Sequence, residues 1–101
     1  MRIDIVARHF DISDKTREYI QQEVEHRLGA HYDRIVDCRM IVEKGNNVYI
    51  AEAIANVPGE QLAAKEQTED LTKSIDYVVK KLQRQISRHK DKWKTKGVVE
   101  R

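Results

Sequence analysis

The sequence predicts an α+β fold in which two amphipathic helices cover one face of a four-stranded, mostly antiparallel sheet. Three observations lead to this prediction: segments with alternating apolar residues, two segments with helical apolar spacing, and turn-forming residues between them. The segments follow one another in the order β-α-β-β-β-α. A chain of 101 residues is expected to form one domain, and we expect an ordered core over residues 1–95 and a C-terminal tail over residues 96–101.

The composition favours a folded domain over a disordered chain. Charged residues make up 36% of the chain and the mean hydropathy is −0.73, but the apolar residues come in periodic blocks. The N-terminus lacks the apolar stretch and cleavage site of a signal peptide, which predicts a cytoplasmic protein. The single cysteine, Cys38, has no partner for an internal disulfide, and we expect it to be a small buried side chain.

The first strand and the first helix are predicted near the N-terminus. Three apolar residues alternate with charged ones and predict the strand: Ile3, Ile5 and Ala7. Ser13 is a suitable N-cap for a helix over residues 14–28, and Gly29 is a suitable end. Apolar residues at four-residue steps give this helix one narrow apolar stripe: Ile20, Val24 and Leu28.

The middle of the chain is predicted to form three more strands. The second strand has apolar residues separated by polar ones: Val36, Cys38, Met40 and Val42. Residues 44–47 supply turn chemistry for a hairpin to a third strand over residues 48–57, whose two faces are so similar that its orientation stays open. Pro58-Gly59 suits the middle of a type II turn, and residues 61–67 form a short fourth strand.

The final helix has an apolar side and a basic side. Seven residues recur at intervals of three and four and lie within about 40° of one line: Leu71, Ile75, Val78, Leu82, Ile86, His89 and Trp93. Lys73, Lys80 and Arg84 lie opposite, flanked by Lys81 and Arg88. Farther along, cations at every second position surround the helix: Arg88, Lys90, Lys92, Lys94 and Lys96. Eight cations and one anion give +7 from residue 80 to residue 96, so the rest of a chain of net charge +2 carries −5.

This distribution of charge makes structured RNA the expected partner. A helix end ringed by cations is stable only in water or among anions. The last five elements also have the order of a double-stranded RNA binding domain, which recognises phosphates and 2′-hydroxyls. Arg84 and Arg88 are expected to form bidentate hydrogen bonds with phosphates or to stack on exposed bases. The lysines expected to act as point charges are Lys80, Lys81, Lys90 and Lys92.

Three further residues are weaker candidates for RNA contacts. Gln85 and His89 can hydrogen-bond to sugar or base edges, and Arg8 lies in the first loop. For His89 the alternative is packing in the core, because it lies on the apolar stripe. For Arg8 the alternative is an ordinary surface charge.

The sequence does not favour an enzyme or a metalloprotein. It has no glycine-rich phosphate loop, and its four histidines lack the spacing of metal ligands, so we expect no cofactor and no metal. Binding of the basic helix to a membrane surface is one alternative, although the apolar stripe is needed for the core. Binding to structured RNA in general is the other alternative.

Several motifs resemble those of a known family. That family shows an Asp, an Ala-Ile-Asp, a Lys-Leu, an Arg-Gln and a Lys-Asp-Lys in its last helix, matched here by Asp70, Ile75-Asp76, Lys81-Leu82, Arg84-Gln85 and Lys90-Asp91-Lys92. Further matches are RHFDIS before the first helix, Arg17-Glu18-Tyr19 inside it, Tyr32-Asp33-Arg34-Ile35 after it, and NVPGEQLAA across the third turn. Three positions differ from the family pattern. Ser74 replaces the usual alanine, Thr68-Glu69 replaces a glycine-containing segment before the last helix, and Trp93 replaces an aliphatic residue. The chain is similar to the ribosome hibernation promoting factors and ribosome-associated inhibitors, also called sigma factor modulation proteins.

The resemblance implies a cytoplasmic protein of nutrient limitation or stationary phase that binds the small ribosomal subunit. Members of the family occupy the channel where messenger RNA and the transfer RNA anticodon stems lie, and so hold the ribosome idle. The chain ends at Arg101, and we expect the short form, which favours paired, inactive ribosomes with a separate small modulation factor. The partners implied are ribosomal RNA and idle or paired ribosomes, with no membrane, and the free protein is expected to be a monomer.

Overall fold

The computed structural model describes the backbone of residues 1–99 and the side chains of residues 1–92. The elements in chain order are β1 (Arg2–Arg8), α1 (Asp14–Val24), β2 (Asp37–Lys44), β3 (Tyr49–Val57), β4 (Glu60–Thr68) and α2 (Leu71–Val99). The predicted α+β class and the order β-α-β-β-β-α are confirmed. The side chains of the predicted tail, residues 96–101, lie outside the described residues.

The four strands form one mixed sheet in the order β1-β2-β3-β4. β1 is parallel to β2, and the other two pairs are antiparallel. Because side chains alternate between the two faces of a sheet, the register places Ile3 beside Cys38 and Ile5 beside Met40 on one face. The orientation of β3 follows from its buried residues, which lie on that same face: Ala51, Ala53, Ala55 and Val57. We call the opposite face, which neither helix covers, the open sheet face.

The core lies between the sheet and the two helices. On the helix side it contains buried apolar residues from α1, the following turn and α2: Ile20, Val24, Leu28, Ile75, Val78, Val79, Leu82 and Ile86. Cys38 is fully buried among them, as predicted. Burial raises the pKa of the Cys38 thiol to about 12, and the charge of Asp37 adds to the shift.

Hydrogen bonds between side chains link the two helices. The Tyr19 hydroxyl on α1 donates to the carboxylate of Asp76 on α2 and lies 3.1 Å from Glu23 Oε1. Arg27 Nε in turn donates to Glu23 Oε2 at 2.9 Å. Burial, with the two carboxylates, raises the pKa of Tyr19, so the hydroxyl keeps the proton that it donates.

The start of α2 is fixed to the end of the sheet. Asp70 caps the helix, because its Oδ1 accepts from the Lys73 backbone N–H at 3.2 Å. The buried Ser74 donates from Oγ to the Tyr49 carbonyl at 2.7 Å and accepts from the Thr68 backbone N–H at 3.1 Å. These bonds set the direction in which α2 crosses the sheet.

One local prediction was wrong. Val36, predicted inside the second strand, lies one residue before β2 and is 62% exposed, although its N–H donates to the Asn56 carbonyl at 2.8 Å and its carbonyl accepts from the Arg2 N–H at 3.3 Å. Apolar alternation alone does not show where burial begins. The helix predicted over residues 14–28 is present: α1 continues directly into a π-helical turn, Glu25–Gly29, in which the Ala30 N–H donates to the Glu25 carbonyl at 2.9 Å. Leu28 is still fully buried, so the wider turn preserves the apolar contact.

Candidate nucleic-acid interface

The surface of α2 that points away from the core is positively charged. Its apolar side packs on β3 and β4, so residues on the opposite side face solvent. Five exposed cations span about 100° of the helix surface at 100° per residue, and we call them the basic face: Lys73, Lys80, Lys81, Arg84 and Arg88. The helical spacing predicted from the sequence therefore gives one continuous cationic strip.

The middle of the basic face borders a pocket where α2 meets β4. Lys80, Lys81 and Arg84 line this pocket together with Tyr77 and Glu66. Lys81 Nζ lies 3.6 Å from Glu66 Oε1, so the single anion of the pocket is engaged by one of its three cations. The pocket therefore keeps a net positive charge that suits a phosphate group.

A second pocket lies farther along the same groove. Its lining includes the exposed cations Arg88 and Lys92, and also Glu60, Leu62 and Gln85. β4 is an edge strand of the sheet, and α2 runs beside it. The groove between them thus presents cations over several turns of the helix.

Two predicted RNA contacts are engaged inside the domain. Gln85 Nε2 donates to the Ala63 carbonyl at 2.7 Å and so ties α2 to the edge strand β4. His89 is 3% exposed, its Nδ1 hydrogen-bonds the carboxylate of Glu60, and its ring packs edge-to-face on Tyr32 at 5.6 Å between centroids. This position fits the alternative left open for His89, packing in the core.

The remaining predicted contacts are divided between two faces of the molecule. Lys90 and Lys92 are exposed beyond His89, and Lys90 Nζ donates to the His31 carbonyl at 3.0 Å. Arg8 is exposed at the end of β1, on the open sheet face and at the sheet edge opposite β4. The structure therefore brings together the predicted residues of α2 but not Arg8. The side chains of Trp93, Lys94 and Lys96, which complete the predicted apolar stripe and the predicted ring of cations, lie outside the described residues.

The open sheet face carries no excess of either charge. Four cations, Arg2, Arg8, Arg39 and Lys65, share it with four anions, Asp4, Asp37, Glu43 and Glu52. Some groups on it are already paired: Arg2 Nε lies 3.4 Å from Asp4 Oδ1, and Asn56 donates to Asp37 at 2.7 Å. The positive charge available to a polyanion therefore lies on the α2 side of the molecule.

Sequence reasoning missed one residue of this surface, Tyr77. Its side chain is 47% exposed, and it lines the pocket with Lys80, Lys81 and Arg84. It precedes these cations by three, four and seven residues, the spacing that places residues on one helix face. The same spacing rule that selected the cations would have selected this tyrosine.

The described residues hold no cluster of three or more His, Cys, Asp or Glu side chains arranged to bind a metal ion. None of the helices in the described part of the chain is long and apolar enough to cross a membrane.

The fold and this groove define the class of the protein: an α+β domain with the element order of double-stranded RNA binding domains and a basic last helix. The chain belongs to the Sigma 54 modulation protein / S30EA ribosomal protein family, whose family model matches residues 3–94. This assignment confirms the resemblance drawn from the motifs of α2 and of the preceding segments.

Named relatives and solved structures agree with the family. The chain is 32% identical over 92 residues to a ribosome hibernation promoting factor of Azotobacter vinelandii, covering 91% of this chain and 85% of that protein. A ribosome hibernation promoting factor of Escherichia coli K12 is 27% identical over 94 residues, or 93% and 98% of the two chains. A ribosomal subunit interface protein from Coxiella burnetii superimposes with a TM-score of 0.83 at 27% identity, covering 90% and 99% of the chains. The Protein Y N-terminal domain of Thermus thermophilus gives 0.81 at 26% identity, covering 88% and 99%.

Proposed function

We propose that this protein is a ribosome hibernation factor that binds the small ribosomal subunit through the basic face of α2. In this proposal it occupies the channel for messenger RNA and transfer RNA, and so keeps the ribosome from translating under nutrient limitation. The observation that carries the proposal is the continuous strip of exposed cations on α2, beside a balanced charge on the open sheet face. The relatives are named for the ribosome, so we expect the ribosome to be the partner of this strip.

The physical basis of binding is the release of counterions from ribosomal RNA. Each lysine or arginine that neutralises a phosphate releases condensed cations, and this gain in entropy supplies a large share of the affinity. Arg84 and Arg88 carry planar guanidinium groups that contact two phosphate oxygens at once, whereas Lys80 and Lys81 act as point charges. The acidic remainder of the chain opposes indiscriminate binding to nucleic acid, because it repels phosphates that approach from other directions.

Pairing of idle ribosomes is the second part of the proposal. It rests on membership in the family, and a separate small modulation factor would assist the pairing step. The protein acts as a monomer on each small subunit in this scheme. Sucrose-gradient profiles of ribosomes mixed with the protein, with and without such a factor, would report whether the paired form accumulates.

Membrane binding through α2 is a weaker candidate than RNA binding. The apolar residues that would enter a lipid interface, among them Val78, Leu82 and Ile86, are buried against the sheet. Insertion into a bilayer would require the domain to open. We therefore expect that vesicles of anionic lipid do not carry the folded protein upward in a flotation experiment at a salt concentration that screens adsorption of the basic face.

The test of the proposal is co-sedimentation with purified, vacant small subunits. The double variant Arg84→Ala/Arg88→Ala should remain in the supernatant at protein concentrations that saturate the wild type. The matched control is Arg39→Ala/Lys65→Ala, which removes the same charge from the open sheet face and should sediment as the wild type does. Equal loss of binding by both double variants would mean that net charge, not the basic face, governs the interaction. Normal binding by the Arg84→Ala/Arg88→Ala variant would remove the proposed site.

A further inference from the structure

Each of the three tyrosines of the chain other than Tyr77 has a ring contact or a side-chain hydrogen bond inside the domain. Tyr19 is hydrogen-bonded to Asp76, Tyr32 packs on His89, and Tyr49 packs on Phe10 with Lys44 Nζ 5.9 Å from its ring centroid. Among the residues whose side chains the structure describes, Tyr77 has no ring–ring contact, cation–π contact or hydrogen bond. Tyr77 is 47% exposed, so about half of its surface is available to a ligand.

Tyr77 lies within the basic face of α2, so its exposed ring is surrounded by cations. At 100° per residue Tyr77 lies about 10° from the centre of the basic face, with Lys73 and Lys80 on one side and Lys81 and Arg88 on the other. Residues three and four apart on a helix are about 5–6 Å apart at Cβ, so one nucleotide can reach both the ring and a neighbouring cation. The single anion of the pocket, Glu66, is engaged by Lys81 and does not repel such a ligand.

We propose that Tyr77 is a stacking platform for an unpaired RNA base, whose flanking phosphates are held by Lys80, Lys81 and Arg84. An aromatic ring among cations is the arrangement with which proteins bind single-stranded nucleic acid, because every base has a face that can stack. Bases inside a duplex are already stacked on their neighbours, so only a splayed or loop nucleotide can use the ring. The inference rests on the proposed binding to ribosomal RNA and specifies its chemistry: the surface contacted by α2 includes at least one unpaired nucleotide.

The test compares three side chains at one position. Tyr77→Phe keeps the ring, whereas Tyr77→Leu keeps an apolar side chain without a ring. Dissociation constants for vacant small subunits should be within about twofold of wild type for Phe and weaker by about tenfold or more for Leu. An unchanged melting temperature for both variants would exclude a structural cause, since the side chain is exposed.

The salt dependence separates stacking from charge. Tyr77→Leu should lower the affinity at every salt concentration with no change in the slope of log K against log salt, because no phosphate contact is lost. Lys80→Ala is the control and should reduce that slope by about one unit. A Leu variant that binds as the wild type does, while Arg84→Ala/Arg88→Ala fails to bind, overturns the stacking proposal and leaves the proposed function standing. If the arginine double variant also binds normally, the proposed function itself fails.

Photocrosslinking identifies the partner of the ring. A photoreactive benzoylphenylalanine placed at position 77 in the full chain should crosslink, on bound small subunits, to a nucleotide of ribosomal RNA outside a duplex. Reverse transcription of the crosslinked RNA would locate that nucleotide. A crosslink to a ribosomal protein, to a paired nucleotide or to nothing would overturn the proposal.

Discussion

A hydrogen bond joins Ser74 and Thr68, two positions at which the motif resemblance predicted an alanine and a glycine-containing segment. Ser74 Oγ lies 2.8 Å from Thr68 Oγ1, accepts from the Thr68 backbone N–H and donates to the Tyr49 carbonyl. An alanine at position 74 would make none of these bonds. Two partners of the buried serine are backbone groups, the Thr68 N–H and the Tyr49 carbonyl, so these two bonds depend on the serine hydroxyl and not on the threonine side chain.

Ser74→Ala should therefore destabilise the domain even though alanine is the better helix former. The change leaves the Tyr49 carbonyl and the Thr68 N–H without their side-chain partner, which should cost roughly 1–3 kcal/mol of unfolding free energy. Ser87→Ala, at an exposed position of the same helix, is the matched control and should change it by less than about 0.5 kcal/mol. Urea denaturation of both variants measures the difference. Equal stability of the two would mean that the Ser74 hydrogen bonds contribute nothing net.

Cys38 gives a prediction for reactivity and for pH. The pKa of the buried thiol is raised to about 12, so the native protein should not react with a thiol-specific reagent at pH 8, whereas the unfolded chain should react at once. In the unfolded chain the thiol ionises near pH 8.5, so its contribution to stability is complete below that pH and declines as pH rises toward 12. Reaction with a chromogenic disulfide in buffer and in guanidinium chloride tests this. Rapid modification of the native protein would show that the thiol is accessible.

At the scale of elements, the two sides of α2 should respond to mutation in opposite ways. Leu82 is fully buried, so Leu82→Ala should lower the unfolding free energy by roughly 2–5 kcal/mol. Arg84→Ala/Arg88→Ala changes only exposed side chains and should cost less than about 0.5 kcal/mol per residue while removing ribosome binding. Thermal melts and co-sedimentation on the same samples provide the comparison. A double variant that unfolds would assign the arginines to the fold, not to RNA binding.

The elements themselves were predictable because each must bury one apolar face. Alternation predicted the first two strands and helical spacing predicted the cationic side of α2, since both depend on local periodicity. The third strand was predicted from an apolar run between turn residues. The partners of Gln85 and His89 were not predictable, because Ala63 and Glu60 lie 22 and 29 residues away in the chain. Their positions depend on how α2 crosses β4, which spacing along the helix does not reveal. Tyr77, in contrast, could have been predicted, because it is three and four residues from Lys80 and Lys81, the helical spacing that identified the cations.

At the scale of the whole molecule, charge is separated by face. Five exposed cations of α2 form the basic face, whereas the open sheet face carries four cations and four anions. A polyanion that surrounds α2 on several sides therefore meets cations, and the other surfaces of the domain can point away from it. This layout suits a cleft walled by RNA better than the side of an isolated duplex.

The affinity for small subunits should fall steeply with salt. If about six to eight phosphates are neutralised, raising the salt concentration from about 50 to 200 mM should weaken binding by roughly three to five decades. Lys73 and the cations from Lys80 to Lys92 supply enough groups for such a number. Equilibrium binding of a fluorescently labelled protein at several salt concentrations measures the slope. A nearly flat dependence would count against the basic face as the main contact.

The location of binding on the subunit can be tested by competition. A domain that recognised RNA only by shape and phosphate contacts would bind any sufficiently long duplex, because such contacts carry little sequence information. A domain whose cationic helix is surrounded by RNA should instead bind vacant small subunits much more tightly than a plain duplex of equal charge. Messenger RNA and initiator transfer RNA, assembled on the subunit beforehand, should then exclude the labelled protein, because they would occupy the channel in which we propose that it binds. An excess of plain duplex serves as the control and should displace little of it. If messenger RNA, transfer RNA and this protein all remain bound together at full occupancy, the protein lies outside the channel, and only a general affinity for structured RNA is left to explain its basic face.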